Sequence, residues 1–428
     1  MNYDYTGNSY DLNLPVKPSK ISTKMSNILS RGRAIAANVS LDLLITAVAA
    51  SSILSSCNNT DYTYVDSQGK TEKIFYDQKK SSDKKVFIYD QGLIENTTAN
   101  KTLDIADYVL PHLFEINMHK FDLKKVGSKK TSHKDKNGRA ICEPIYKKIP
   151  VSPYVEFQKR PIGKKHIESL LERARDDSVY LTPMVSAFDK NVIHEVLDHP
   201  RKYAAIIADN IKSLHAQGVS IDFESTQIGA SESENLVNFM RILRNKLPHP
   251  YVISIATSPR FEGSSDKGFV HHGFYNYKEL AHYVDYIHLM CYDFHKGAIG
   301  PSPVMPEHML LKVLDYASKN LPKDEIVPLL PFYGFAWKKS GHNYTNKGVL
   351  SSKNDNVYSG KKVINTRYVD GEKRIYTKDR IVFAQDKHVY DRRFEILDSL
   401  GISNVGGWRQ QHASSSILGS IDTWRNSE

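Results

Sequence analysis

The sequence predicts an α/β protein, a (β/α)8 barrel carrying a small α+β insertion, and three observations predict it. From Val86 onward short apolar runs alternate with helical segments, the pattern of βαβ units and a parallel sheet. The side chains suited to chemistry fall at the ends of several of those runs, where a barrel of this kind places its site. A chain of 428 residues is long enough for one such barrel with elaborations.

Composition narrows the function classes. Lys and Arg number 58 against 48 Asp and Glu, a net charge of +10 that favours anionic neighbours such as membrane surfaces, anionic glycans or nucleic acid. The chain holds no zinc-knuckle, RNA-binding or helix-turn-helix pattern, so nucleic acid is the partner class argued against. Cys57, Cys142 and Cys291 are too few and too scattered for a disulfide framework. No metal-ligand cluster or glycine-rich phosphate loop is apparent, and neither metal nor cofactor is expected.

Residues 1–57 carry no barrel signal. Lys20, Lys24, Arg31 and Arg33 precede an apolar run from Leu43 to Leu54, too short to span a bilayer and of the length of a signal-peptide core. The run ends in Leu54-Ser55-Ser56-Cys57, which resembles a bacterial lipobox. The resemblance implies lipidation at Cys57, a polar tether over residues 58–85, and a cell-envelope protein anchored by lipid to a bacterial membrane, or a secreted one. A start at Met25 would shorten the long basic region, and Asp42 abuts the apolar run. The alternative is a buried helix ending in an ordinary core cysteine.

The barrel is expected over residues 86–428. Val86–Tyr89 reads as the first strand and Leu113–Asn117 as the second. Lys124, Lys125, Lys129, Lys130, Lys134, Lys136 and Arg139 crowd the stretch from Lys120 to Lys148, which reads as a solvated loop; contact with an anionic polymer or lipid headgroups is its functional alternative. A helix from Gly163 to Asp176 leads to a third strand, Val179–Val185, interrupted by Pro183. A helix from Lys202 to Gln217 stops at Gly218, and a fourth strand follows at once.

That fourth strand, Gly218–Ser225, holds the candidate chemistry. Side chains alternate along a strand, so Val219, Ile221 and Phe223 share one face while Ser220, Asp222 and Glu224 share the other. Neighbouring carboxylates on a half-buried strand are costly unless paired, and such pairs are where pKa values are pushed apart for acid/base work. An Asp-x-Glu is also common on a solvated sheet face, so the reading depends on its neighbours.

Helices Leu236–Leu247 and Tyr277–Tyr283 lead to strands Tyr251–Ala256 and Tyr286–Met290. The second of these runs into Met290-Cys291-Tyr292-Asp293, with Met290 and Tyr292 facing inward and Cys291 outward. Helix His308–Leu321 precedes Ile326 to Trp337, which contains Pro331-Phe332-Tyr333-Gly334. An insertion over residues 338–385 includes a hairpin of Val363–Tyr368 with Arg374–Tyr376 around Asp370-Gly371. Helix Tyr390–Leu400 leads to Ile402–Trp408 as the last strand.

Four of these segments resemble glycoside hydrolase family 18, the chitinase family. Its catalytic strand reads Asp-x-x-Asp-x-Asp-x-Glu; Asp222 and Glu224 match the last two acidic positions, while Gln217 and Ser220 stand at the first two. Met290-Cys291-Tyr292-Asp293 is similar to the Met-x-Tyr-Asp of its sixth strand, Pro331–Gly334 to the Pro-Phe-Tyr-Gly of its seventh, and Trp408 to the tryptophan closing its eighth. The resemblance implies a TIM barrel and substrate-assisted hydrolysis of β-1,4-linked N-acetylglucosamine glycans such as chitin, chitooligosaccharides or peptidoglycan, with retention of configuration. Glu224 would be the acid and base, its pKa raised by burial and by Asp222, while Asp222 would orient the acetamide and Tyr292 hold its oxygen. Trp408 would floor the pocket, Tyr333 and Trp337 line it, and Met290, Asp293 and Ser220 complete it. Some family members have lost the glutamate and bind sugar as lectins, so a catalytically weak sugar-binding envelope protein is the alternative.

Overall fold

The computed structural model describes residues 62–65, 71–74, 84–90, 104–134, 140–159, 164–175, 179–262, 273–294, 300–340, 343–351 and 363–427. The chain divides into two units, residues 1–78 and 79–428. In the first, Tyr62–Val65 and Thr71–Ile74 pair antiparallel within the stretch read as a tether. The apolar run and Cys57 lie outside the described residues. Among the described residues no helix is long and apolar enough to cross a membrane.

Eight strands of the second unit close into a parallel barrel: β1 Lys85–Asp90, β2 Tyr108–Lys134, β3 Met184–Ala187, β4 Gly218–Phe223, β5 Val252–Thr257, β6 Tyr286–Met290, β7 Ile326–Pro331 and β8 Asn404–Trp408. Closure comes from β1, which pairs β8 on one side, Phe87 opposite Gly406, and β2 on the other, Phe87 opposite Tyr108. Alternation along β4 sorts its side chains as the sequence requires. Phe223 points outward against Phe239 of helix Ser233–Lys246, ring centroids 5.5 Å apart, while Ser220 reaches Tyr89 inside the barrel. The interior is filled by Phe87, Tyr89, Tyr108, Met184, Tyr286, Met290 and Leu329, so it is a packed core and not a pore.

Several boundaries differ from the expectation for local reasons. Pro183 cannot donate to a ladder, and the third strand is split around it into Tyr180–Leu181 and Met184–Ala187. The helix expected to run to Gln217 spans Pro200–Ser213, and a second helix, Lys190–Asp198, precedes it with Asp189 capping the amides of Asn191 and Val192. Gly218 therefore does not stop the helix. It opens β4, where a Cβ would lie 2.1 Å from the carbonyl oxygen of Val252. The described residues of the lysine-dense stretch are strand where a loop was expected: β2 runs for 27 residues in all and pairs antiparallel with Ala140–Lys159.

The insertion follows β7 as expected but begins earlier, at Tyr333. Where an α+β element was expected, its described residues form five antiparallel strands and no helix. The expected hairpin is present, Val363–Val369 with Glu372–Thr377, and both turn residues, Asp370 and Gly371, have positive φ (48° and 78°), as a tight two-residue turn requires. Glu372 anchors this sheet. Its carboxylate accepts from the amides of Val304 and Met305, at 2.9 and 2.8 Å, and pairs at 3.2 Å with Arg393 of helix Lys387–Leu400, both side chains buried. One acidic side chain thus ties the insertion, the loop after β6 and the outer helix layer together. At the amino ends of the strands a cavity of about 500 Å³ is lined by Lys85, Arg244, Asp285, Tyr286 and Glu325. There Arg244 of helix Ser233–Lys246 pairs with Asp285, and Lys85 of β1 donates at 2.9 Å to the Tyr286 hydroxyl of β6.

Candidate active site at the carboxyl ends of the strands

The site is built from the last residues of β4, β6 and β8 and the first of the insertion. Asp222 is 4% exposed, and its Oδ1 has no hydrogen-bond partner among the described residues. Burial, and then the charge of Glu224, hold its carboxyl well above the ordinary value. Glu224 follows one step beyond the strand, half-buried, its amide donating to the carbonyl of Ala187 at 2.9 Å, so the ladder to β3 positions the backbone of both carboxylates.

Two residues beyond β6, Tyr292 brings its ring to 6.3 Å from Trp408 at an interplanar angle of 19°, and to 6.3 Å from Tyr333 at 65°. Burial and the nearby charges of Glu224 and Asp222 push the Tyr292 hydroxyl up, so it stays a phenol able to donate. Asp293 adopts φ 64° and accepts a 2.6 Å hydrogen bond from Tyr333, whose hydroxyl is also pushed up, by burial and then by Asp293. Met290 lies below them in the barrel core, and Cys291 turns outward and is fully buried, as alternation predicts. Gly407 sets the approach of Trp408: a Cβ there would meet the Phe332 ring at 2.0 Å. Tyr292 and Trp408 touch both the barrel core and a second cluster, in which Val304 of the loop after β6 packs with Tyr333, Phe335, Trp337, Ile381 and Phe383 of the insertion. Trp337 lies within that second cluster, 8% exposed.

Every barrel residue singled out from the sequence therefore falls at one end of the barrel or directly beneath it. Ser220 is the deepest: fully buried, it lies 3.4 Å from the Tyr89 hydroxyl and makes no hydrogen bond to Asp222 among the described residues. The Tyr89 hydroxyl is in turn 2.7 Å from Nδ1 of His288. Burial pulls the His288 imidazole down to about 3, so it is neutral at ordinary pH.

Three supporting features were not read from the sequence. Tyr89 and His288 occupy inward positions of β1 and β6 that pattern marks only as core. Ser186, in register beside Asp222, lies 2.6 Å from His112 Nε2, a pairing across two strands distant in sequence. The hydroxyl of Tyr275 donates at 2.7 Å to the carbonyl of Phe223, between the two carboxylates, from a segment with no periodic signal. Among the described residues no cluster suited to a metal ion exists.

A barrel with paired carboxylates and stacked aromatics at its carboxyl rim is the frame of a sugar-cleaving enzyme. The family model for glycosyl hydrolases family 18 matches residues 185–408, and the chain belongs to that family. A Bacillus subtilis protein named as a sporulation-specific glycosylase is 25% identical over 259 residues, 57% of this chain and 59% of that one. The cortical fragment-lytic enzyme of Bacillus anthracis is 28% identical over 139 residues, 32% of this chain and 31% of its own. The chain thus spans less than two thirds of either relative. In fold it is similar to a chitinase crystal structure from Chromobacterium violaceum, TM-score 0.63 at 16% identity, covering 81% of this chain and all of that one.

Proposed function

We propose that this site hydrolyses β-1,4-linked N-acetylglucosamine glycans by a substrate-assisted, retaining mechanism. The observation that carries the reading is the buried Oδ1 of Asp222, an acceptor without a partner beside Glu224. A buried acceptor left unpaired costs free energy, and the N–H of a substrate acetamide would satisfy it. The acetamide oxygen would then attack the anomeric carbon while Glu224 gives its proton to the departing glycosidic oxygen. Asp222 stabilises the resulting oxazolinium charge, and Tyr292 donates to the acetamide oxygen. Water next adds at the anomeric carbon as the bond to the acetamide oxygen breaks and the acetamide re-forms, and a proton of that water passes to Glu224, leaving the new hydroxyl in the original configuration. Trp408 stacks beneath the reacting sugar, with Tyr333, Trp337, Asp293 and Met290 shaping the wall and base around it.

Of the chitin, chitooligosaccharide and peptidoglycan substrates, the peptidoglycan class is our reading, with chitin-type glycans the comparison to be measured. Support comes from the relative named as a cortical fragment-lytic enzyme. Its location would be the cell envelope or beyond it, with Cys57 as a lipid-bearing residue; Cys57→Ser is expected to move the protein from the detergent phase to the aqueous one. A lectin is the second reading, favoured by serine at position 220 in place of the family's aspartate. The deciding experiment is product release from N-acetylglucosamine oligomers and peptidoglycan fragments, with the anomer followed by NMR. Retained-anomer product from the wild type and a loss of about 10² to 10⁴-fold in Glu224→Gln, with sugar binding kept, is the expected result. Binding without turnover in the wild type would establish the lectin instead.

A further inference from the structure

The described element the catalytic reading does not use is the hairpin formed by the continuation of β2 and its partner Ala140–Lys159. Its placement follows from register. Glu115 of β2 is level with Ser186 of β3, and Ser186 with Asp222 of β4. Every residue of β2 after Glu115 therefore runs beyond the level of the catalytic carboxylate, on the side where the strands end and the site opens. At about 3.3 Å per residue, the arm from Glu115 to Lys134 extends on the order of 60 Å, enough to lie along several units of a chain polymer.

Its charge is as distinctive as its place. Residues 119–150 hold nine lysines and one arginine against Asp122, Asp135 and Glu143, a net +7 out of +10 for the whole chain. Register places Lys124 directly opposite Lys147, Leu123 opposite Lys148 and Lys129 opposite Glu143. Like charges directly opposite each other across an antiparallel pair destabilise it. Guarding a long strand edge against aggregation needs charge but not a ten-to-three excess of one sign. An arm that bears such an excess lowers its self-repulsion when an anionic partner lies along it.

We infer that this hairpin is a binding arm for a carboxylate-bearing cell-wall glycan, holding the polymer as it enters or leaves the cleft. The partner follows from charge complementarity and from continuity with a glycan-cleaving site, and to that extent the inference rests on the proposed function. Binding by the arm is electrostatic, so it weakens steeply with salt, whereas short neutral oligomers reach only the cleft.

The test uses the full chain carrying Glu224→Gln, so that the polymer is not consumed, and sedimentation with insoluble peptidoglycan sacculi. The sacculi are used untreated and after carbodiimide amidation of their carboxyls. Binding to untreated sacculi is expected to fall at least tenfold on amidation, at raised salt, and in a variant with Lys120, Lys124, Lys125, Lys147 and Lys148 replaced by Gln. In the otherwise wild-type chain, those five substitutions should leave hydrolysis of a soluble neutral N-acetylglucosamine oligomer unchanged. Equal binding to amidated and untreated sacculi overturns the inference without recourse to any variant. So does a five-lysine variant that binds sacculi as well as its parent while losing affinity only for vesicles of anionic phospholipid. Failure of the wild type to cleave any oligomer would strike the proposed function alone, since sedimentation is read independently of turnover.

Discussion

The hydroxyl of Tyr89 lies 2.7 Å from Nδ1 of His288, in the core of the barrel below the carboxylates Asp222 and Glu224. With Ser220 at 3.4 Å it forms a neutral polar chain at the level where family members carry a further aspartate. A neutral imidazole and two hydroxyls can exchange hydrogen bonds but cannot hold the negative charge an aspartate would bring.

Ser220→Asp tests what that substitution does. A carboxylate two residues before Asp222 on the same face would repel it, and the two would titrate as a pair. The acidic limb of kcat/KM against pH is expected to broaden in the variant relative to a simple wild-type limb. An unchanged profile would mean that position 220 does not couple to Asp222, and an inactive wild type rescued by the aspartate would mean that the natural chain has given up catalysis.

Asp222 leaves a signature in stability as well. Its carboxyl is held above the ordinary value of 3.8, by burial first and Glu224 second. A carboxyl raised on folding favours the folded state below that ordinary value, and the contribution is lost as pH rises through the folded value. Asp222→Asn removes the titration, so the melting temperature of the variant minus that of the wild type should grow between about pH 4 and about pH 8. A difference constant across that range would refute the burial argument.

Removing one partner of the Glu372–Arg393 pair should be costly, because the other charge is left buried. Glu372→Gln is expected to lose about 3 kcal/mol in urea unfolding. Since Glu372 also holds the amides of Val304 and Met305, the loop after Tyr292 should loosen and KM should rise more than kcat falls. A variant as stable as the wild type would show that the pair contributes nothing net.

Much of this molecule could be read from its residues because local periodicity and barrel topology agree. Period-two alternation put Asp222 and Glu224 on one face of β4 and turned Cys291 away from Met290 and Tyr292, and strand order together with the family resemblance put Tyr292, Tyr333 and Trp408 at the same rim. Ser220 stands out only against the motif of the family the strand resembles, and the Asp370-Gly371 turn is legible from two residue types that tolerate positive φ. Tertiary structure decided what depends on pairing between distant segments. The lysine-rich stretch became a hairpin because two strands there found each other, which composition cannot foretell. Tyr89 with His288, Ser186 with His112, and Tyr275 with the Phe223 carbonyl are contacts between strands or loops far apart in the chain, and each residue alone reads as ordinary core. Local pattern specifies which face a side chain takes, whereas closure of the barrel brings the faces of eight strands together and so chooses each buried polar group's partner.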